Sequence, residues 1–95
     1  MVLEVALLDV RAGTEADFRA AYAEARPLVA AAEGATNVRM TQGVETPTRF
    51  VLLIEWPSVE VHEQFRASDA FGQWRQLIGP YFDGAPRVEH FVDVD

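Results

Sequence analysis

The chain has 95 residues, 49% hydrophobic and 11% aromatic, with a formal net charge of −7 and no cysteine. Its length fits one domain, residues 1–95, which buries only roughly 60–65% of its unfolded surface. The lack of cysteine excludes disulfides, Cys-ligated zinc, iron–sulfur clusters and thiol catalysis. The acidic balance makes nucleic acid and anionic membranes poor partners.

All eight basic residues are arginine, so Schiff-base and P-loop chemistry lack their lysine. No apolar run approaches the ~20 residues of a membrane helix, and no N-terminal segment has the basic–apolar–small pattern of a signal peptide. The expected location is the cytoplasm.

Val2–Val10 reads as a strand. Leu3, Val5 and Leu7 share one face; Val2, Ala6, Leu8 and Val10 share the other, with Glu4 the exception. Apolar residues on both faces imply that neither is fully solvated. Arg11-Ala12-Gly13 is a turn, and Thr14 is placed to N-cap a helix with Glu15 and Asp17 in its first turn. Phe18, Ala21, Tyr22, Ala25, Leu28, Val29 and Ala32 follow helical spacing. Pro27 predicts a kink near Ala23–Pro27, and Gly34 is expected to end the helix.

Asn37–Gly43 is a weaker, polar strand suited to a sheet edge, and Glu45-Thr46-Pro47 a turn. Arg49–Trp56 is the most hydrophobic strand. Phe50, Leu52, Ile54 and Trp56 point one way, Val51 and Leu53 the other. Ser58 caps a second helix over about Val59–Ala67. Ser68-Asp69 starts a further segment to about Ile78, with Phe71, Trp74 and Ile78 on one face. Gly79-Pro80 breaks it. Arg87–Val94 is the last strand, with Val88, His90, Val92 and Val94 on one face.

The order β-α-β-β-α-β, with a broken second helix, predicts an α+β, ferredoxin-like fold with a four-stranded antiparallel sheet. Right-handed crossovers place both helices on one sheet face. The other face, apolar in strands one, three and four, is left bare, and a homodimer packed sheet to sheet is the expected way to cover it.

The stretch Phe50-Val51-Leu52-Leu53-Ile54-Glu55-Trp56-Pro57-Ser58-Val59-Glu60-Val61-His62-Glu63-Gln64-Phe65 resembles the antibiotic biosynthesis monooxygenase family of dimeric α+β barrels. So do Ser68-Asp69-Ala70-Phe71, Trp74 and Val88-Glu89-His90-Phe91. The resemblance covers nearly the whole chain. It implies a dimeric barrel and cofactor-free oxidation of quinols or polyketide-type aromatics. The family also holds haem-degrading enzymes and an isomerase-like branch. The haem-degrading pattern is not met: the first strand has no Asn, Phe65 stands where that branch has a Trp, and about Arg75 where it has its His ligand.

No metal-ligand spacing, phosphate loop or catalytic triad appears, and no cofactor is expected. His62 and His90 lie 28 positions apart in the chain. What remains is a set of aromatic side chains suited to a flat hydrophobic or aromatic ligand. His62 is the candidate catalytic base, against a reading as a capping or surface histidine. Tyr22, Phe65, Trp74, Tyr81 and His90 are candidate substrate-binding residues, each against a reading as core. Arg39, Arg66 and Arg75 are candidates for an anionic substrate group. Three functions stay open. One is a cofactor-independent monooxygenase; the second is a non-oxidative binding or isomerising protein on the same fold; the third is a purely structural or regulatory dimer whose aromatics are core.

Overall fold

The computed structural model describes all 95 residues. Strands β1 (Val2–Asp9), β2 (Thr36–Gln42), β3 (Arg49–Trp56) and β4 (Arg87–Phe91) alternate with helices α1 (Glu15–Ala30), α2 (Val59–Arg66) and α3 (Asp69–Ile78). The sheet order is β2-β3-β1-β4, and every neighbouring pair is antiparallel. This is the α+β, ferredoxin-like arrangement that the alternation of patterns predicts. No helix is long and apolar enough to cross a membrane.

The period-2 pattern of the strands decides which face meets the helices. Ala6 and Leu8 of β1 are buried with Phe50, Leu52, Ile54 and Trp56 of β3 and Val38 of β2. Phe18, Ala25 and Val29 of α1, Phe65 of α2, and Trp74 and Ile78 of α3 cover them. Phe18 packs on Phe50 with ring centroids 4.7 Å apart. The opposite face carries Leu3, Val5 and Leu7 of β1 beside Val51 and Leu53 of β3, with Val5 opposite Leu53 and Leu7 opposite Val51. No helix covers it. In β4 only Phe91 is apolar on that face, flanked by Arg87 and Glu89, so the bare patch centres on β1 and β3 rather than on three strands.

Several boundaries differ from expectation. Thr14 precedes α1 but makes no side-chain cap. Its hydroxyl donates to the Arg11 carbonyl at 2.7 Å, while Glu15 Oε1 accepts from Gly13 N at 2.7 Å, tightening the turn itself. Helix α1 runs through Pro27 and ends at Ala30 rather than at Gly34. Tighter turn bonds follow, from Ala32 N to Val29 O and from Ala35 N to Ala32 O. Gly34, with φ +88°, ends these turns; a Cβ there would lie 2.8 Å from Val61 and 2.9 Å from Pro57. Glycine thus lets the end of α1 press on the junction that launches α2.

Ser58 caps α2 as expected, accepting from Val61 N at 3.3 Å, and Ser68 caps α3 in the same way, accepting from Phe71 N at 3.3 Å. Strand β4 stops at Phe91, so Val92 and Val94 lie outside the sheet and exposed. Val10 makes an isolated bridge to Phe82. With Arg11 N bonded to Tyr81 O, it ties the turn after α3 to the end of β1.

Candidate functional site

A cavity of about 280 Å³ opens between the β1 half of the sheet and helices α2 and α3. Ala6, Leu8, Leu52, Phe71, Trp74, Ile78, Phe82 and Val88 give it apolar walls. Glu4, His62, Arg66 and Arg75 are its charged or titratable lining.

The polar end is built from three strands and a helix. Glu4 lies on the helix-facing side of β1, between Ile54 on β3 and His90 on β4 in the strand register. It is 5% exposed. Trp56, fully buried at the end of β3, donates from Nε1 to Glu4 Oε1 at 2.9 Å. His62 sits one turn past the Ser58 cap on the inner side of α2, 3% exposed. Its Nε2 lies 3.3 Å from the same Glu4 Oε1. Its Nδ1 is 2.7 Å from His90 Nε2. The His62 ring stacks on Trp56 at 4.9 Å with an interplanar angle of 17°.

Electrostatics follow from this burial. Removal from water pushes the Glu4 carboxyl above the usual glutamate range, against the Trp56 hydrogen bond and the positive charge of Arg66. Burial also lowers the His62 pKa to about 4, helped by His90 and Arg66. His62 is therefore neutral at pH 7. With Nε2 facing a carboxylate oxygen, the neutral ring is most stable with its proton there. Nδ1 is then the acceptor and His90 Nε2 the donor.

The structure brings His62, His90 and Trp74 to this region. Trp74 forms a wall; His90 backs His62 from β4. Phe65 lies behind Trp56, with centroids 5.8 Å apart, and faces an outer groove between α1 and α2. Tyr22 meets Trp74 edge-on at 6.0 Å but lines a separate crevice between α1 and β2. Its hydroxyl is buried without a hydrogen-bond partner, and burial raises its pKa. Tyr81 packs edge-on to Phe18 at 6.4 Å.

Of the arginines, Arg66 and Arg75 reach the cavity, whereas Arg39 belongs to the bare-face side. Arg75 sits over the Phe71 ring, 5.9 Å from its centroid. The two histidines bond to one another directly, leaving no room between their facing nitrogens for an ion at metal–ligand distances of about 2.0–2.1 Å. No cluster of three candidate ligands is placed to hold a metal. Glu4 stands in no sequence motif. Its signal was a lone acid at an inward position of an otherwise apolar strand.

The fold and this lining define a class: a small ferredoxin-like α+β domain with a buried acid–histidine pair at one end of an apolar cavity. The sequence profile of the antibiotic biosynthesis monooxygenases matches residues 1–77. The chain belongs to that family. It is 34% identical to the uncharacterised protein YczJ of Bacillus subtilis over 95 residues, covering 99% of this chain and all of that one. It is 28% identical to protein SchA of Streptomyces halstedii over 88 residues, spanning 93% of this chain but only 23% of that longer protein.

A crystal structure from Bordetella bronchiseptica, described as an antibiotic biosynthesis monooxygenase, superposes with TM-score 0.93 at 39% identity, covering 98% of this chain and 96% of that one. SnoaB of Streptomyces nogalater, a cofactor-independent oxygenase, shares the fold at TM-score 0.83 and 15% identity, over 99% of this chain and 93% of that one.

Proposed function

We propose that this protein is a cofactor-independent monooxygenase acting on an electron-rich aromatic, of the quinol or polyketide type, held in the cavity between sheet and helices. Family membership supports oxygen chemistry, and one feature carries the reading to this site. A buried acid and a neutral histidine meet at one end of an apolar cavity whose walls include Phe71, Trp74 and Phe82.

In the proposed reaction the substrate supplies the electrons. A base removes a proton from an activated CH₂ or a phenol, and the resulting anion reduces O₂. For an activated methylene, a C–O bond forms and the O–O bond breaks. Both methylene hydrogens leave with one oxygen atom as water, and the carbon becomes a carbonyl. The protein's part is to fix the ring, exclude water and hold the base. The Glu4–His62 pair is that base, with Trp74 as a substrate contact. Tyr22 and Tyr81 act by packing Trp74 and Phe18. Arg66 and Arg75 carry no carboxylate partner and are placed to offset the charge of a phenolate.

Oxygen uptake with a panel of quinols and anthrones tests this. The expected result is turnover that falls by roughly 10²–10⁴-fold in His62→Ala. No oxygen uptake, or uptake unchanged in His62→Ala, overturns the assignment. The acid–histidine pair also suits proton shuttling without oxidation, so product formation under anaerobic conditions marks an isomerase instead.

The bare sheet face is proposed to close against a second copy. Leu3, Val5, Leu7, Val51, Leu53 and Phe91 form an apolar patch whose rim includes Arg39, Glu55, Arg87 and Glu89, the anatomy of a protein interface. Sedimentation at micromolar concentration is expected to give a dimer, and Leu53→Asp a monomer. A wild-type monomer removes this part of the proposal.

A further inference from the structure

The geometry divides the base into an acceptor and its supports. We propose that Glu4, through its Oε2, is the atom that takes the substrate's proton, with Trp56, His62 and His90 as positioning residues. This rests on the reading that the cavity holds a phenolic or similarly acidic aromatic substrate.

His62 has one lone pair and one N–H when neutral. Its Nε2 faces Glu4 and its Nδ1 faces His90. No lone pair of His62 is left for a ligand. Glu4 Oε1 is likewise engaged, by Trp56 Nε1 and by His62 Nε2. Glu4 Oε2 receives no hydrogen bond from the protein, and Glu4 lines the cavity. The Trp56 hydrogen bond fixes the carboxylate at Oε1, with the His62 ring beside it at 3.3 Å. His90, donating to His62 Nδ1, keeps the His62 proton on the side that faces the acid.

The groups around Glu4 are few. Trp56 faces it from β3 and His90 from β4, His62 and Arg66 from α2, and Arg75 lies across the cavity on α3. Burial opposes the carboxylate's charge and raises its affinity for a proton, while Arg66 acts the other way. Once the proton has moved, Glu4 is neutral in a dry setting and the new anion lies near two guanidinium groups. The transfer breaks the substrate O–H or C–H bond and forms O–H on Glu4, with no net change in charge.

A chromophoric nitrophenol tests this without oxygen chemistry. Below its own pKa it enters as the neutral phenol, and its colour reports ionisation in the cavity. Calorimetry in buffers of different ionisation heat reports protons released. In the wild type we expect bound phenolate and no proton release, because Glu4 keeps the proton. In Glu4→Gln, which retains an amide oxygen for Trp56 but cannot take a proton, we expect the nitrophenol to bind uncharged and without the phenolate colour.

The wild type alone gives a second readout. The ¹³C signal of the Glu4 carboxyl is expected to move to the acid position on binding. A nitrophenol that fails to bind, binds uncharged, or releases its proton from the wild type overturns the assignment, as does an unmoved carboxyl signal. For the supports, ¹⁵N spectra are expected to show the His62 proton on Nε2 in the wild type and on both nitrogens in His90→Phe. An unchanged His62 spectrum in His90→Phe removes His90 from the set. Proton retention without oxygen uptake by any quinol ends the monooxygenase reading and leaves Glu4 in place. Oxygen uptake unaffected by Glu4→Gln does the reverse.

Discussion

The helix-covered face of the sheet has two unlike halves. Under α1, Phe18, Phe50, Ile54 and Val29 pack closely and are almost wholly inaccessible, beside only the smaller crevice lined by Tyr22. Under α2 and α3 the same face holds a cavity of about 280 Å³ and the buried Glu4 and His62. One half is packed for stability. The other gives up packing and keeps polar groups in a dry place, an arrangement that costs stability wherever their hydrogen bonds do not offset the loss of water.

The sharpest way to break this contrast is to cut one aromatic from each half. Phe18→Ala is expected to cost about 3–5 kcal/mol in urea unfolding, as a fully enclosed ring leaves a cavity behind. Phe71→Ala, at the half-buried cavity wall, is expected to cost about 1–2 kcal/mol. Equal losses remove the distinction between a sealed half and an open one.

Acid titration comes next. His62 has its pKa lowered to about 4 in the folded protein, from an ordinary 6.5. The unfolded chain therefore binds a proton between these values that the folded chain refuses. On this account stability is full above pH 6.5 and is lost as pH falls toward 4, by up to about 3 kcal/mol. Glu4 works oppositely: its pKa is raised by folding, so its share of stability falls as pH rises above the ordinary glutamate value. Denaturation followed across this range is expected to show the acid limb flattened in His62→Gln and steepened in Glu4→Gln, whose opposing slope begins within the same range. An unchanged acid limb in His62→Gln means that the histidine is not held neutral by burial.

The smallest expected effect is local. Ser58→Ala removes the cap on the helix that presents His62 and should cost about 1 kcal/mol. If the contrast holds, quinol turnover falls more than this loss of stability alone explains, since the cap fixes where His62 begins its approach to Glu4. Comparing turnover of Ser58→Ala with Ser68→Ala, whose helix brings Trp74, separates positioning of the base from positioning of the wall.

Much of this was legible in the chain. Alternation in Val2–Asp9 and Arg49–Trp56 fixed two apolar faces, because a strand's side-chain period is two and does not depend on its neighbours. Helical spacing around Phe18 and Trp74, and the serines at 58 and 68, set the helices for similarly local reasons. The boundaries that moved were those where short-range bonds compete: Thr14 turned to the Arg11 carbonyl, and the end of α1 tightened before Gly34.

The site is another matter. Sequence order separates Glu4, the neighbouring Trp56 and His62, and His90, and only strand register and the crossing of α2 bring them together. The sequence marked His62 as a base and Glu4 as an oddity. Tertiary structure alone decided that His62 stands beside a Glu4 oxygen, that His90 closes off the remaining histidine nitrogen, and that Tyr22 lies behind Trp74 in a separate crevice. Hydrogen-bond partnership depends on ångström distances across the sheet, which periodicity along a single strand does not encode.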